Sequence, residues 1–490
     1  MDPTDLYTLL GVGRRATTDE IEAAYAAWLA RTGAGRPVGE TADRLRYAYE
    51  VLSNPQRRSL YDSLVAETTG GGALEFELVV SADRLALLDT LQVVYALLTL
   101  TPRQALEDGR RPLNLGLVID RSTSMRGERL AKVTAAVALL LDKLAPDDAL
   151  SLVSFSDRAE VVLPAATLGA AAQSVQPETA AAWRAPRRQL QAIAASGGTE
   201  IFQGLRAGLA EVTRLAGEAR TSHLILLTDG HTYGDADDCL RLAAEAAGRG
   251  IGLTAFGIGA DWNDSFLDAL VAPSGGQSHF IEQPADVLPH LEERLKGLGA
   301  IYARNVTLQR GWPAPFTLRG GFKLTPFPQP LAVDADPIPL GDLEGRAPLS
   351  LLLEFLVAPQ SMSARFRLPL HAHYTTPGGA EEAIGRDAPF VVLNREGEAA
   401  PPAALIEAAR RLNLYRMQEK AWEEAQSGKL DTAAARMRRL TARYLETGDL
   451  RLAKQAQLEA QRLAHLGTMS LEGRKVLKYG TRSLMGQTGT

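Results

Sequence analysis

The chain has 490 residues, 46% of them hydrophobic and 23% charged, with a formal net charge of −5; this is the composition of an ordinary soluble protein, long enough for about three or four domains. The single cysteine, Cys239, excludes an internal disulfide and a cysteine-based zinc site, and reads as a small buried apolar residue of a helix. Met1-Asp2-Pro3-Thr4-Asp5 has no basic stretch leading into an apolar one, and the run Leu85 to Leu100, broken by Asp89 and Gln92, is too short to span a bilayer, so a cytoplasmic protein without a membrane partner is expected.

Residues 1–66 read as a first helical module. Asp5-Leu6-Tyr7-Thr8-Leu9-Leu10-Gly11-Val12 is followed by Thr17-Thr18-Asp19-Glu20-Ile21, where a capping Thr and nearby acids start a helix carrying Ile21, Tyr25 and Trp28 or Leu29 at helical spacing. A further helix contains Leu45, Ala48, Tyr49 and Leu52, ends at Ser53-Asn54-Pro55, and leads to Arg57-Arg58-Ser59-Leu60-Tyr61-Asp62. The opening and the Ala48-Tyr49-Glu50-Val51-Leu52-Ser53-Asn54-Pro55 close resemble a J-domain, the helical module of heat-shock co-chaperones. That family needs His-Pro-Asp between its second and third helices, and here residues 31–40 hold none; the first histidine of the chain is His223. The resemblance therefore implies the fold without stimulation of a chaperone ATPase, as a docking module or a relic. Three glycines at 70–72 make a linker.

In 73–108, Leu74, Phe76, Leu78 and Val80 alternate with Glu75 and Glu77, and a second strand run extends from Thr90 to Leu100. Next comes Leu115-Gly116-Leu117-Val118-Ile119-Asp120-Arg121-Ser122-Thr123-Ser124, an apolar run of the buried parallel-strand kind ending in one carboxylate and two hydroxyls. Open α/β sheets bind ligands at such carboxyl ends, and an all-oxygen group of this kind suits a small hard cation that keeps several waters. Ser196-Gly197-Gly198-Thr199-Glu200 presents another hydroxyl before an apolar helix, and Leu224 to Leu227 form a second buried strand ending in Thr228-Asp229-Gly230.

Together these segments resemble the metal-ion-dependent adhesion site (MIDAS) of von Willebrand factor A (vWA) domains, over residues 109–298. The resemblance implies a Rossmann-like sheet in which Ser122, Ser124 and Thr199 place hydroxyls on Mg²⁺, or Mn²⁺ or Ca²⁺, with Asp120 and Asp229 nearby. It also implies one open position that a partner protein's carboxylate fills. A vWA fold whose site is no longer used stays open as an alternative. Arg121 adds a positive charge whose direction the sequence does not give. Asp235, Asp237 and Asp238 sit where a helix begins, and acids there suit the helix dipole better than a second metal.

Strands return in 299–397: Asn305 to Gln309, Pro348 to Val357, Arg365 to Tyr374 and Phe390 to Leu393. Two strands before the α/β segment cannot make a core alone, so a β-sandwich built from both flanks, with the vWA domain inserted, is expected. His371 and His373 on one strand face read as solvated residues rather than a metal pair. From 400 to 468 three helices, Ala404 to Gln426, Leu430 to Thr447 and Leu450 to Leu466, are punctuated by Gly428 and Gly448, and 469–490 reads as a basic, mobile tail. Sixteen Lys and Arg face nine Asp and Glu from Pro401 to Thr490, a local +7 that leaves −12 elsewhere.

The fold class is thus multidomain: a helical J-like module, a β-sandwich with an inserted α/β domain, and a C-terminal helical domain. With no GxxxxGK[ST] loop and no GxSxG elbow, the leading reading is a non-enzymatic interaction or scaffold protein. A co-chaperone or an adaptor to an AAA+ ATPase is the alternative by family resemblance, and a hydrolase a more distant one. Nucleic acid is not expected, since the basic end lacks interleaved aromatic residues.

Overall fold

The computed structural model describes residues 6–10, 12, 16–31, 40–54, 57–58, 61, 74–103, 110–167, 184–217, 219–230, 234–345, 347–376, 378–393 and 400–486. The loop at 32–39 and the glycine linker at 70–72 lie outside them. The chain divides into two units, one of residues 1–73 and 384–386 and the other of the remainder.

In the first unit α1 is Leu6–Leu10, α2 Thr18–Arg31 and α3 Glu40–Leu52. A capping box starts α2: Glu20 N donates to Thr17 Oγ1 at 3.2 Å, and Thr17 N to the Glu20 carboxylate at 2.7 Å. Ile21 is fully buried beside Tyr7, Leu45, Ala48 and Leu52. Leu29 points outward, while Trp28 stacks on Tyr25, which in turn stacks on Tyr49 with ring centroids 4.2 Å apart. Arg58 and Tyr61 close back on α1: Arg58 Nε donates to the Tyr7 hydroxyl at 2.8 Å, and Leu6 N to the Tyr61 hydroxyl at 2.7 Å.

The second unit begins with β1 Leu74–Val80, β2 Arg84–Ala86 and β3 Gln92–Pro102. Then come β4 Leu113–Asp120, α4 Glu128–Leu140, β5 Ala149–Phe155, β6 Ala159–Thr167, α5 Arg184–Gln191, α6 Ile201–Thr213 and β7 Thr221–Thr228. They are followed by α7 Ala236–Gly248, β8 Gly252–Ile258, α8 Asp264–Val271, β9 Gln277–Ile281 and α9 Val287–Leu298. The six strands β6-β5-β4-β7-β8-β9 form one sheet, parallel except for β6. Every residue of β4, β5 and β7 is buried because helices cover both faces, which is why these strands are mostly apolar and do not alternate with exposed polar residues. On one face lie Leu130, Val133 and Val137 of α4; on the other lie Ile201, Leu205, Leu209 and Val212 of α6. Cys239 is buried in α7, where burial pushes its thiol up to about 12.

After α9 the chain forms β10 Ile301–Leu308, β11 Phe316–Thr325, β12 Gln329–Pro330, β13 Ile338–Glu344, β14 Leu349–Val357, β15 Arg365–Thr375 and β16 Glu381–Leu393. Two five-stranded sheets result, β1-β3-β14-β11-β12 and β13-β10-β15-β16-β2, so both take strands from each side of the α/β segment. Rings of Phe366 and Phe390 in the second sheet meet Phe316 in the first at 6.1 and 5.0 Å. The sequence pattern missed β11 and β13. Phe316–Thr325 carries Gly320 and Gly321, and Ile338–Glu344 carries Pro339 and Gly341, residues that dilute a strand signal. On β15, His371 lies 3.2 Å from Asp387, which accounts for it without a metal.

Several contacts fasten the α/β segment to the sheets. Lys323 of β11 is buried and donates to the carbonyls of Gly275 at 2.9 Å and Leu340 at 3.1 Å; burial lowers its ammonium to about 8. Arg294 of α9 pairs with Glu344 of β13 at 2.6 Å, both buried. Gly275 and Gly341 pass backbone to backbone, both at positive φ, and a Cβ on Gly275 would sit 2.0 Å from Gly341 N.

The C-terminal helices are α10 Ala403–Gln426, α11 Leu430–Glu446, α12 Leu450–Leu466 and α13 Leu471–Met485. Gly428 and Gly448 take positive φ as the first two end. The fourth corrects the mobile tail expected from 469 onward: its basic residues Arg474, Lys475, Lys478 and Arg482 are buried against the α/β domain. Arg474 and Lys478 pair with Asp264 of α8 at 2.8 and 2.5 Å, and Lys478 and Arg482 with Asp268 at 2.8 and 2.5 Å. A cationic run that looks like a solvated tail is here the inner face of a docked helix.

Candidate functional site

The site forms where β4 and β7 end together. Their parallel register pairs Val118 with Leu226 and Ile119 with Leu227, so Asp120 and the Thr228-Asp229 pair emerge side by side at the carboxyl edge. A single 3₁₀ turn, Thr123–Met125, then Gly127 at φ +87°, carry the chain from β4 into α4 and fold Ser122 and Ser124 back over the acids.

A continuous chain of hydrogen bonds joins four of the five expected residues. Ser122 N donates to Asp120 Oδ1 at 2.8 Å and Thr228 Oγ1 to Asp120 Oδ2 at 2.6 Å. The Ser122 and Ser124 hydroxyls lie 3.0 Å apart, and Ser124 Oγ donates to Asp229 Oδ1 at 2.6 Å. The fifth, Thr199, is buried against the residue after Asp229: a Cβ on Gly230 would meet its hydroxyl at 3.0 Å. Its loop is clasped to the serine loop by Thr123 N and Oγ1 on the Gly197 carbonyl, at 3.1 and 2.8 Å, and by Ser196 N on the Arg121 carbonyl at 2.8 Å. Asp157 holds the same loop from beneath, accepting from Gly198 N at 2.7 Å.

Asp120 is fully buried, and the groups that hydrogen-bond to it are neutral. Burial pushes its carboxyl up to about 6, against the lowering effect of the Thr228 and Ser122 hydrogen bonds. A buried carboxylate that accepts only from neutral donors, with a second carboxylate and serine hydroxyls beside it, is a donor set that fits a hard divalent cation. Among the described residues no group of three or more His, Cys, Asp or Glu gathers, at this site or at any other, so the oxygen donors here are two carboxylates and hydroxyls.

Arg121, whose direction the sequence left open, turns along the rim: Nη1 donates to Ser196 Oγ at 2.8 Å and Nη2 lies 3.8 Å from Glu160. Asp235 accepts from Phe202 N at 3.0 Å, while Asp237 and Asp238 occupy the first turn of α7, so these acids serve helix starts. Two contributors escaped the sequence reading. Thr228 stood inside the quoted Thr-Asp-Gly motif, but only the register shows it donating to Asp120. Arg129, in the first turn of α4, pairs through Nη1 with Asp229 Oδ2 at 2.5 Å, and its spacing carried no signal at all.

Comparison with known proteins bears on the fold that carries this geometry. The family model "von Willebrand factor type A domain" matches residues 114–294, and "Sll0103-like, C-terminal alpha-helical domain" matches 403–487. The chain is 36% identical over 196 residues to the Synechocystis protein sll0103, covering 39% of this chain and 44% of that one. It is 45% identical over 73 residues to the chaperone protein DnaJ of Leifsonia xyli, 14% of this chain and 20% of DnaJ. The chain thus spans less than half the length of either relative. The structure of "von Willebrand factor type A from Catenulispora acidiphila" superposes with a TM-score of 0.66 at 19% identity, over 84% of this chain and 96% of that one, a likeness of fold. The chain therefore contains a vWA domain followed by a C-terminal helical domain. No described helix is long and apolar enough to cross a membrane.

Proposed function

We propose that this chain is a metal-dependent interaction protein whose vWA domain holds a divalent cation, Mg²⁺ by the chemistry of its donors, and takes an acidic side chain from a partner protein. Ser122, Ser124 and Thr199 offer the hydroxyls, and Asp120 and Asp229 supply negative charge and fix the serines by hydrogen bonds. A cation bound there supplies one coordination position to a carboxylate from outside the chain. The observation that carries the reading is the fully buried Asp120, bonded to neutral donors, at the point where the three hydroxyl-bearing segments converge. The two five-stranded sheets act as one β-sandwich that presents the vWA domain, and the J-like unit, lacking His-Pro-Asp, serves as a docking module.

The test is Mn²⁺ binding to the full chain followed by electron paramagnetic resonance, with Ser124→Ala and Thr199→Ala alongside, then capture of partners in Mg²⁺ against EDTA. One ion per chain, lost in both variants, with a partner held only in Mg²⁺, is the expected result. Binding unchanged by either substitution, or a partner set indifferent to chelation, rejects the reading.

A further inference from the structure

Arg129 is placed by two elements. It leaves the first turn of α4 beside the serine loop, and Gly259, at the end of β8, confines its guanidinium: a Cβ there would come within 3.1 Å of Nη2. In that slot Nη1 pairs with Asp229 Oδ2 at 2.5 Å, and Nη2 lies 3.8 Å from the largely exposed Asp261. Both oxygens of the fully buried Asp229 are thereby engaged, one by Ser124 and one by Arg129.

The charges then count differently from the carboxylates. Asp120 and Asp229 together would neutralise a dication; with Arg129 beside Asp229, a cation on the three hydroxyls retains a net positive charge. A retained charge weakens the protein's own hold on the ion and strengthens its pull on an external anion. We propose that Arg129 is a specificity-determining residue of this site, which makes cation and partner carboxylate bind cooperatively instead of letting the cation bind tightly alone. This rests on the metal-binding reading above and adds the coupling between its two ligands.

The experiment uses the full chain with Mn²⁺ as the probe ion and acetate as the probe carboxylate. Arg129→Met keeps the length of the side chain without its charge, and should bind Mn²⁺ about tenfold tighter while losing the enhancement by acetate that the wild type shows. Asp261→Asn, on an exposed side chain, removes the competing counter-charge and should act in the opposite sense, weakening Mn²⁺ by about two- to threefold. A role confined to packing would not give opposite signs in the two variants. The inference is overturned if folded Arg129→Met binds Mn²⁺ no tighter than wild type; should that variant not fold, Asp261→Asn with unchanged or tighter binding overturns it. A wild type that takes up no Mn²⁺ removes the metal-binding reading itself, and the inference with it.

Discussion

Replacing Asp268 by Ala should release the C-terminal helix from the vWA domain. Asp268 receives Arg482 at 2.5 Å and Lys478 at 2.8 Å, and the two cationic side chains are only 4% and 2% exposed. Removing the acid leaves Arg482 without a carboxylate and Lys478 sharing Asp264 with Arg474. Breaking a buried ion pair from one side costs about 3–5 kcal/mol, because a charge is left in a medium that cannot solvate it. Asp268 is itself about a fifth exposed, which places the expectation near 3 kcal/mol. Replacing Asp268 by Leu together with Arg482 by Met should cost less than Asp268→Ala alone, since that leaves one fewer orphaned charge. The pH dependence follows from the same groups. Burial alone would raise both carboxyls, but Lys478 and Arg474 on Asp264, and Arg482 and Lys478 on Asp268, outweigh it and hold both below the ordinary carboxylate range. Burial would likewise lower the Lys478 ammonium, but Asp268 holds it above its ordinary range. The acids thus stabilise the fold fully above about pH 4 and lose that contribution as pH falls through their folded values. Lys478 contributes fully below about pH 10, so the network is flat between these limits. Urea unfolding and hydrogen exchange of α13 measure both effects. A loss under about 1 kcal/mol, with exchange in α13 unchanged, would refute the view that these charges fasten the helix.

Two further outcomes follow from the packing of the same region. His279 stacks on Phe256 at 5.0 Å, and burial, then the neighbouring charges of His290, Arg294 and Arg482, lower its imidazole to about 3. The unfolded chain takes up that proton near pH 6.5 and the folded chain does not, so the contribution of His279 to stability should fall by up to about 1.4 kcal/mol per pH unit on descending from 6.5 towards 3. His279→Phe should reduce this slope in unfolding curves recorded across that range, and an unchanged slope counts against a neutral, half-buried imidazole. Gly257 leaves no room beneath the Trp262 indole, 1.9 Å from where a Cβ would stand, so Gly257→Val should cost at least about 1–3 kcal/mol by overpacking. Coincident thermal melts of variant and wild type would show that the indole swings aside freely.

Local sequence marked four of the five candidate residues by their place after a strand. A parallel strand covered on both faces is apolar along most of its length, so the polar groups that follow its apolar run mark its carboxyl end. Asp120, Ser122, Ser124 and Asp229 all announce themselves in this way. The capping box at Thr17 and Glu20 and the glycine stops at 428 and 448 were legible for the same reason, because the atoms involved lie within a few residues of each other. Arg129 was not: its partner Asp229 is a hundred residues away, and an arginine in a first helical turn looks like any solvated one. Strand β13 was hidden in part because Gly341 answers to its close passage against Gly275, and β11 because Gly321 packs against Leu331 and Leu353, contacts between segments apart in the chain. The final helix shows the limit most clearly. Its four basic residues carry the pattern of a soluble tail, and only the placement of Asp264 and Asp268 on α8, two hundred residues earlier, turns that face inward. Periodicity records which residues share a face, while the charges waiting opposite belong to the tertiary fold.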